Sequence, residues 1–123
     1  MKEGYIQLMD LEFEYKLWKN RITLFLSEVD LAINRNIYLP EEKKSQALNS
    51  IEVLALEEHK EVLTKLISQI KIKEQELKFY NKDFPITEEH VFFSEHLELR
   101  NMNSKLLYIH IDRISDIVKA IGV

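Results

Sequence analysis

Residues 11–32 read LEFEYKLWKNRITLFLSEVDLA, and their spacing decides the fold. Leu11, Tyr15, Trp18, Ile22, Phe25, Val29 and Ala32 recur at alternating four- and three-residue steps. On an α-helix such steps keep side chains on one face, whereas a half-buried strand alternates at every second residue. The stretch predicts one long amphipathic helix over residues 6–34, with a bundle seam along one side.

The pattern continues outward from this helix. NRNIYLPEE (34–42) interrupts the periodicity, and Pro40 suits the first position of a new helix, with Glu41 and Glu42 near its positive end. A second helix over 40–81 is expected, with Leu48, Ile51, Ala55, Val62, Leu66, Ile70 and Leu77 inward. NKDFPIT (81–87) ends it, because Pro85 disfavours helix at Phe84, and Thr87 can cap the next start. A third helix over 88–121 places Phe92, Leu99, Met102, Leu106, Ile109, Ile117 and Ile121 inward, and Gly122 stops it. Short connections favour antiparallel neighbours, so the fold class expected is all-α: one domain, residues 1–123, folded as an antiparallel up-down-up three-helix bundle.

Composition agrees and narrows the function. Two glycines and two prolines leave few places for sharp turns, and 46% hydrophobic with 31% charged residues is a globular balance. With a net charge of −4 and no basic block, the chain lacks the face a nucleic-acid binder needs. Without cysteine it forms neither a disulfide nor a thiolate metal site, which fits a cytoplasmic location. The N-terminus lacks the apolar core of a signal peptide, and the longest apolar runs are far short of a membrane span. No glycine-rich phosphate loop and no credible nucleophile–base order suggests an enzyme.

The polar anomalies sit on the helical faces. In EEHKEVL (57–63), His59 occupies the middle of the second helix's apolar face, and His110 occupies that of the third. Residues at one height in antiparallel helices have nearly constant number sums, about 75 for the first pair and about 168 for the second. That arithmetic brings His59, His110 and Glu14, with Tyr15, into one layer. Imidazole and carboxylate suit a transition-metal ion, which makes a metal-binding bundle, with hemerythrin or ferritin resembled in architecture only, the alternative reading. The Glu-x-x-His pairs and H-E-x-x-H signature are absent, and His90, His96 and His110 lack the four-residue spacing of hemerythrins. A hydrogen-bonded core histidine pair without a cofactor is therefore the leading reading, and a histidine-titrating sensor is a third. Lys73 with Glu95, and Glu52 with Arg113, are expected as buried polar pairs that set register.

The first helix carries a second apolar row. Phe13, Leu17, Leu24 and Leu31 lie nearly opposite the main seam, and Leu54, Ile72 and Phe79 lie on the outer side of the second helix. Apolar rows of this size mark interfaces, so a homodimer is expected, with a possible protein partner. A membrane-surface role is disfavoured, because lysine and arginine do not dominate the flanks.

The segments FEYKLW (13–18), EEHKEVL (57–63) and SEHLELR (94–100) resemble a group of small uncharacterised helical proteins of Bacteroidetes bacteria. That resemblance implies a bacterial cytoplasmic bundle and supplies no activity. The function expected from sequence is self-association and protein binding.

Overall fold

The computed structural model describes residues 6–80 and 85–122, and over them the chain is a bundle of three long helices: α1 (Leu8–Ile37), α2 (Ser50–Leu77) and α3 (Val91–Ile121). All seven residues of the first seam are buried. Leu11 to Val29 of that seam pack with Leu63, Leu66, Ile70 and Leu77 of α2 and with Phe92, Leu99 and Leu106 of α3 as one core. Among the described residues no helix is long and apolar enough to cross a membrane.

The helices run up, down and up. Lys19 pairs with Glu74 at 2.5 Å and Asp30 with Lys60 at 2.6 Å, so α1 and α2 are antiparallel. Lys73 pairs with Glu95 at 2.9 Å and His59 with His110 at 2.9 Å, so α2 and α3 are antiparallel too. Glu14 meets His96 and Glu28 meets His110, which makes α1 and α3 parallel neighbours.

The second helix starts later than its sequence suggests. Residues Glu41–Gln46 form a 3₁₀ segment, and α2 begins only at Ser50. Its true cap is Asn49, whose side chain accepts from the Glu52 N–H at 2.8 Å while Glu52 accepts from the Asn49 N–H at 3.1 Å. This reciprocal box satisfies two backbone donors, and Pro40 offers nothing equivalent. The Asn36 side chain fastens the connection by accepting from the Leu48 N–H at 2.7 Å. The levels shared by α1 and α2 therefore fall roughly four to five helical turns further along α2 than expected.

The seam of α2 is also corrected: Leu56, His59, Leu63, Leu66, Ile70, Lys73 and Leu77 are buried, while Ile51 and Val62 are exposed. The latter two lie one residue off the four–three progression. On α3, Met102 and Ile109 flank the buried face instead of filling it. Helix α3 starts at Val91, capped by the His90 ring, which accepts from the Phe92 N–H at 3.0 Å; Thr87 is not the cap. At the other end of the second connection, the expected helix limit at Asn81 lies outside the described residues. The C-terminus of α3 is held where its negative end attracts cations: Arg35 donates to the Ile121 carbonyl at 2.9 Å and Lys43 to that of Gly122.

Candidate functional site

Two heptad positions on α2 and α3 create the most unusual feature of the core. His59 and His110 both sit on buried seams, 4% and 1% exposed, and their rings face one another. His59 Nε2 lies 2.9 Å from His110 Nδ1, and His110 Nε2 lies 2.9 Å from a Glu28 oxygen. A carboxylate only accepts, so His110 donates through Nε2–H to Glu28. In the tautomer with its proton on Nε2, His110 offers Nδ1 as an acceptor, and His59 donates to it through Nε2–H. The result is a chain of two hydrogen bonds running from α2 through α3 to α1, polarised toward the carboxylate. Phe25 stacks on His110 with ring centroids 4.1 Å apart and closes one side.

Burial makes this arrangement hostile to added positive charge. His59 is pushed down to about 4, first by burial, then by His110 and by the nearby Arg113 charge. His59 is therefore held neutral at neutral pH, hydrogen-bonded inside the layer.

A second histidine–carboxylate pair repeats the α1–α3 link, two heptads earlier along both helices. Glu14 lies 3.0 Å from His96 Nε2 and also accepts from Arg100, Nε to Oε2 at 2.9 Å. Burial raises the Glu14 carboxyl, but the bonds from Arg100 and His96 outweigh it and hold the group below its ordinary value. His96 is fully buried against Tyr15 and Trp18, and burial depresses it while its bond to Glu14 pulls the other way. Parallel helices with equal rise explain why both pairs have the same sequence separation of 82.

The structure thus brings His59 and His110 together and leaves Glu14 out of their layer. Its place is taken by Glu28, because the late start of α2 shifted every α1–α2 level. Among the described residues no three His, Asp or Glu side chains are grouped to hold a metal ion. Both His110 nitrogens are already engaged, so His59, His110 and Glu14 do not form the metal site that the sequence suggested. The signal for Glu28 and His96 was present in the common separation of the two Glu–His pairs, but it is visible only once the relative height of α1 and α3 is known.

The two polar pairs fare differently. Lys73 Nζ contacts Glu95 and Glu76, each at 2.9 Å, and sits 4.6 Å from the centre of the Phe92 ring. Burial works against its charge, but the two carboxylates more than offset it and raise the lysine above its ordinary value. Glu52 and Arg113 are both exposed and make no ion pair with one another; Glu52 is occupied in the cap of α2.

The outer row of α1 stands in solvent: Phe13 is 56%, Leu17 36%, Leu24 59% and Leu31 65% exposed. Leu54, Ile72 and Phe79 of the second helical segment are exposed as well. Comparisons with protein families, with curated proteins and with solved structures gave no match, so the geometry of this chain is the basis for reading its function.

Proposed function

We propose that the protein is a cytoplasmic helical-bundle module that acts by self-association and by binding a protein partner through the outer face of α1. The observation that carries this reading is the row Phe13, Leu17, Leu24 and Leu31, each at least one-third exposed on a helix whose opposite face is fully buried. Full burial of a large apolar side chain is worth about 1.5–3 kcal/mol. With about half of their surface exposed, the four leave roughly 3–6 kcal/mol of burial ungained, a sizeable share of a domain's net stability of about 5–15 kcal/mol. Soluble oligomers are mostly symmetric, and a twofold pairing buries the row on both subunits at once. The histidine layers have a structural role in this reading, holding the register of α1, α2 and α3 so that the outer row stays straight.

The test is Leu17→Glu combined with Leu24→Glu. Both positions point away from the seam of Trp18, Ile22 and Phe25, so the variant is expected to keep its helical circular dichroism and to lose self-association. A variant that associates like the wild type would refute the assignment.

A further inference from the structure

The chain contains four histidines, and each lies in a contact that α3 makes. His90 caps the helix by accepting from the Phe92 N–H. His96 joins it to Glu14 of α1, His110 joins it to Glu28 of α1, and His59 of α2 bonds to His110. Contacts between α1 and α2 are of another kind. Among the described residues these two helices meet through their apolar seams and the ion pairs Lys19–Glu74 and Asp30–Lys60, and no bond between them involves a histidine. Histidine is the side chain whose ordinary charge change falls between pH 5 and 8. The proton-sensitive set is therefore gathered on the docking of one helix.

An added proton works against each of these contacts. His96 donates through Nε2 to Glu14, so a proton enters at Nδ1, which is buried and has no hydrogen-bond partner. It becomes a buried N–H without an acceptor, a costly group. The charges acting on His96 are Glu14 from α1 and Arg100 from α3, and burial lowers the imidazole by more than Glu14 raises it. In the other layer both His110 nitrogens are engaged. With His59 donating to Nδ1, a proton on that atom sets two N–H groups head to head, and a proton on His59 buries a cation beside His110 and Arg113. A proton on His90 Nδ1 removes the cap. The remaining charged contacts of α3, Lys73 with Glu95 and the bonds of Arg35 and Lys43 to its last carbonyls, contain no histidine.

The apolar hold on α3 is also the weakest. Its buried positions are Phe92, His96, Leu99, Leu106, His110 and Ile121, whereas the buried seam of α1 contains no charged or imidazole side chain. Elements with fewer buried apolar contacts open at lower free energy than the fold as a whole. We propose that α3 is an acid-released latch: protonation of its histidine contacts frees this helix from an α1–α2 pair whose own contacts carry no proton-sensitive bond. Release uncovers Tyr15, Trp18 and Phe25, because these rings pack on His96 and His110. The proposal is independent of self-association.

Native-state hydrogen exchange at pH 7.5 and 5.0 tests it, at one protein concentration and corrected for the intrinsic effect of pH on exchange. Amides of Leu99 and Leu106 in α3 are expected to be at least about tenfold less protected than those of Ile22 in α1 and Ile70 in α2. His59 has an ordinary value of 6.5 when released and about 4 when docked. Docking is therefore fully stable above pH 6.5 and weakens as pH falls toward 4, and this group alone lowers α3 protection about thirtyfold between the two pH values. Amides of α1 and α2 exchange only after α3 has left, so they fall by the same factor and their ratio to α3 stays constant. His59→Gln with His96→Gln keeps a donor toward His110 Nδ1 and Glu14 and should abolish most of the pH effect. Equal protection in all three helices would overturn the proposal, because the bundle then opens only as a whole. A ratio that changes between the two pH values would place proton-sensitive contacts between α1 and α2 and refute it. A pH effect of full size in the double variant would trace the response to other groups, with the same consequence.

Discussion

The buried histidine chain should make the fold acid-sensitive in a defined window. His59 moves from an ordinary value of 6.5 in the unfolded chain to about 4 in the folded one. Above pH 6.5 it is neutral in both states and contributes no pH dependence. Between pH 6.5 and 4 the unfolded chain takes up a proton that the folded chain refuses, so stability falls as pH falls. Over pH 7.5 to 5.0 this single group costs about 2 kcal/mol, at 1.36 kcal/mol per pKa unit. The depressed His96 acts in the same direction, whereas Glu14, held below 4.5, loses its contribution only at lower pH. With a urea m-value of about 2 kcal/mol/M for a domain of this size, the unfolding midpoint should drop by about 1 M. Urea melts followed at 222 nm, at one fixed protein concentration, measure it. His59→Gln keeps a donor for His110 Nδ1 and removes the titration, so its melts should lose most of this shift. Equal wild-type midpoints at pH 7.5 and 5.0, or a full shift retained in His59→Gln, would show that burial does not hold His59 neutral.

Two further predictions concern the scaffold. Asn49→Ala removes the side-chain acceptor of the cap box, leaving the Glu52 N–H without it, and should destabilise the protein by about 1 kcal/mol, while Pro40→Ala, outside α2, should be nearly silent in the same urea melts. Lys73→Met keeps the apolar stem over Phe92 and should stay within about 1 kcal/mol of wild type, whereas Lys73→Ala loses that packing and should cost about 2 kcal/mol. Equal costs would mean that the ion pairs to Glu76 and Glu95, and not the stem, carry the contribution.

The sequence was most legible where periodicity was uninterrupted. Leu11 to Ala32 named the buried face of α1 residue for residue, because the four–three progression runs unbroken through those turns. The levels of α2 and α3 were also readable: Lys73 meets Glu95, and His59 meets His110, because the second connection lies near its expected centre. The α1–α2 level was not. Pro40 followed by two glutamates imitates a helix start, and the Asn49–Glu52 box that truly starts α2 lies further on. A proline supplies a compatible φ but no acceptor for the first N–H groups, so it loses to a reciprocal cap. That single displacement put Glu14 in the place of Glu28 and assembled a metal site that the fold separates.

Whether the outer row of α1 is an interface between copies is decided by the mass of the wild-type protein in solution. Sedimentation equilibrium across low to high micromolar concentrations should approach twice 14.7 kDa as concentration rises, and the Leu17→Glu/Leu24→Glu variant should remain at the single mass throughout. A wild type that holds the single mass over the whole range would contradict the assignment.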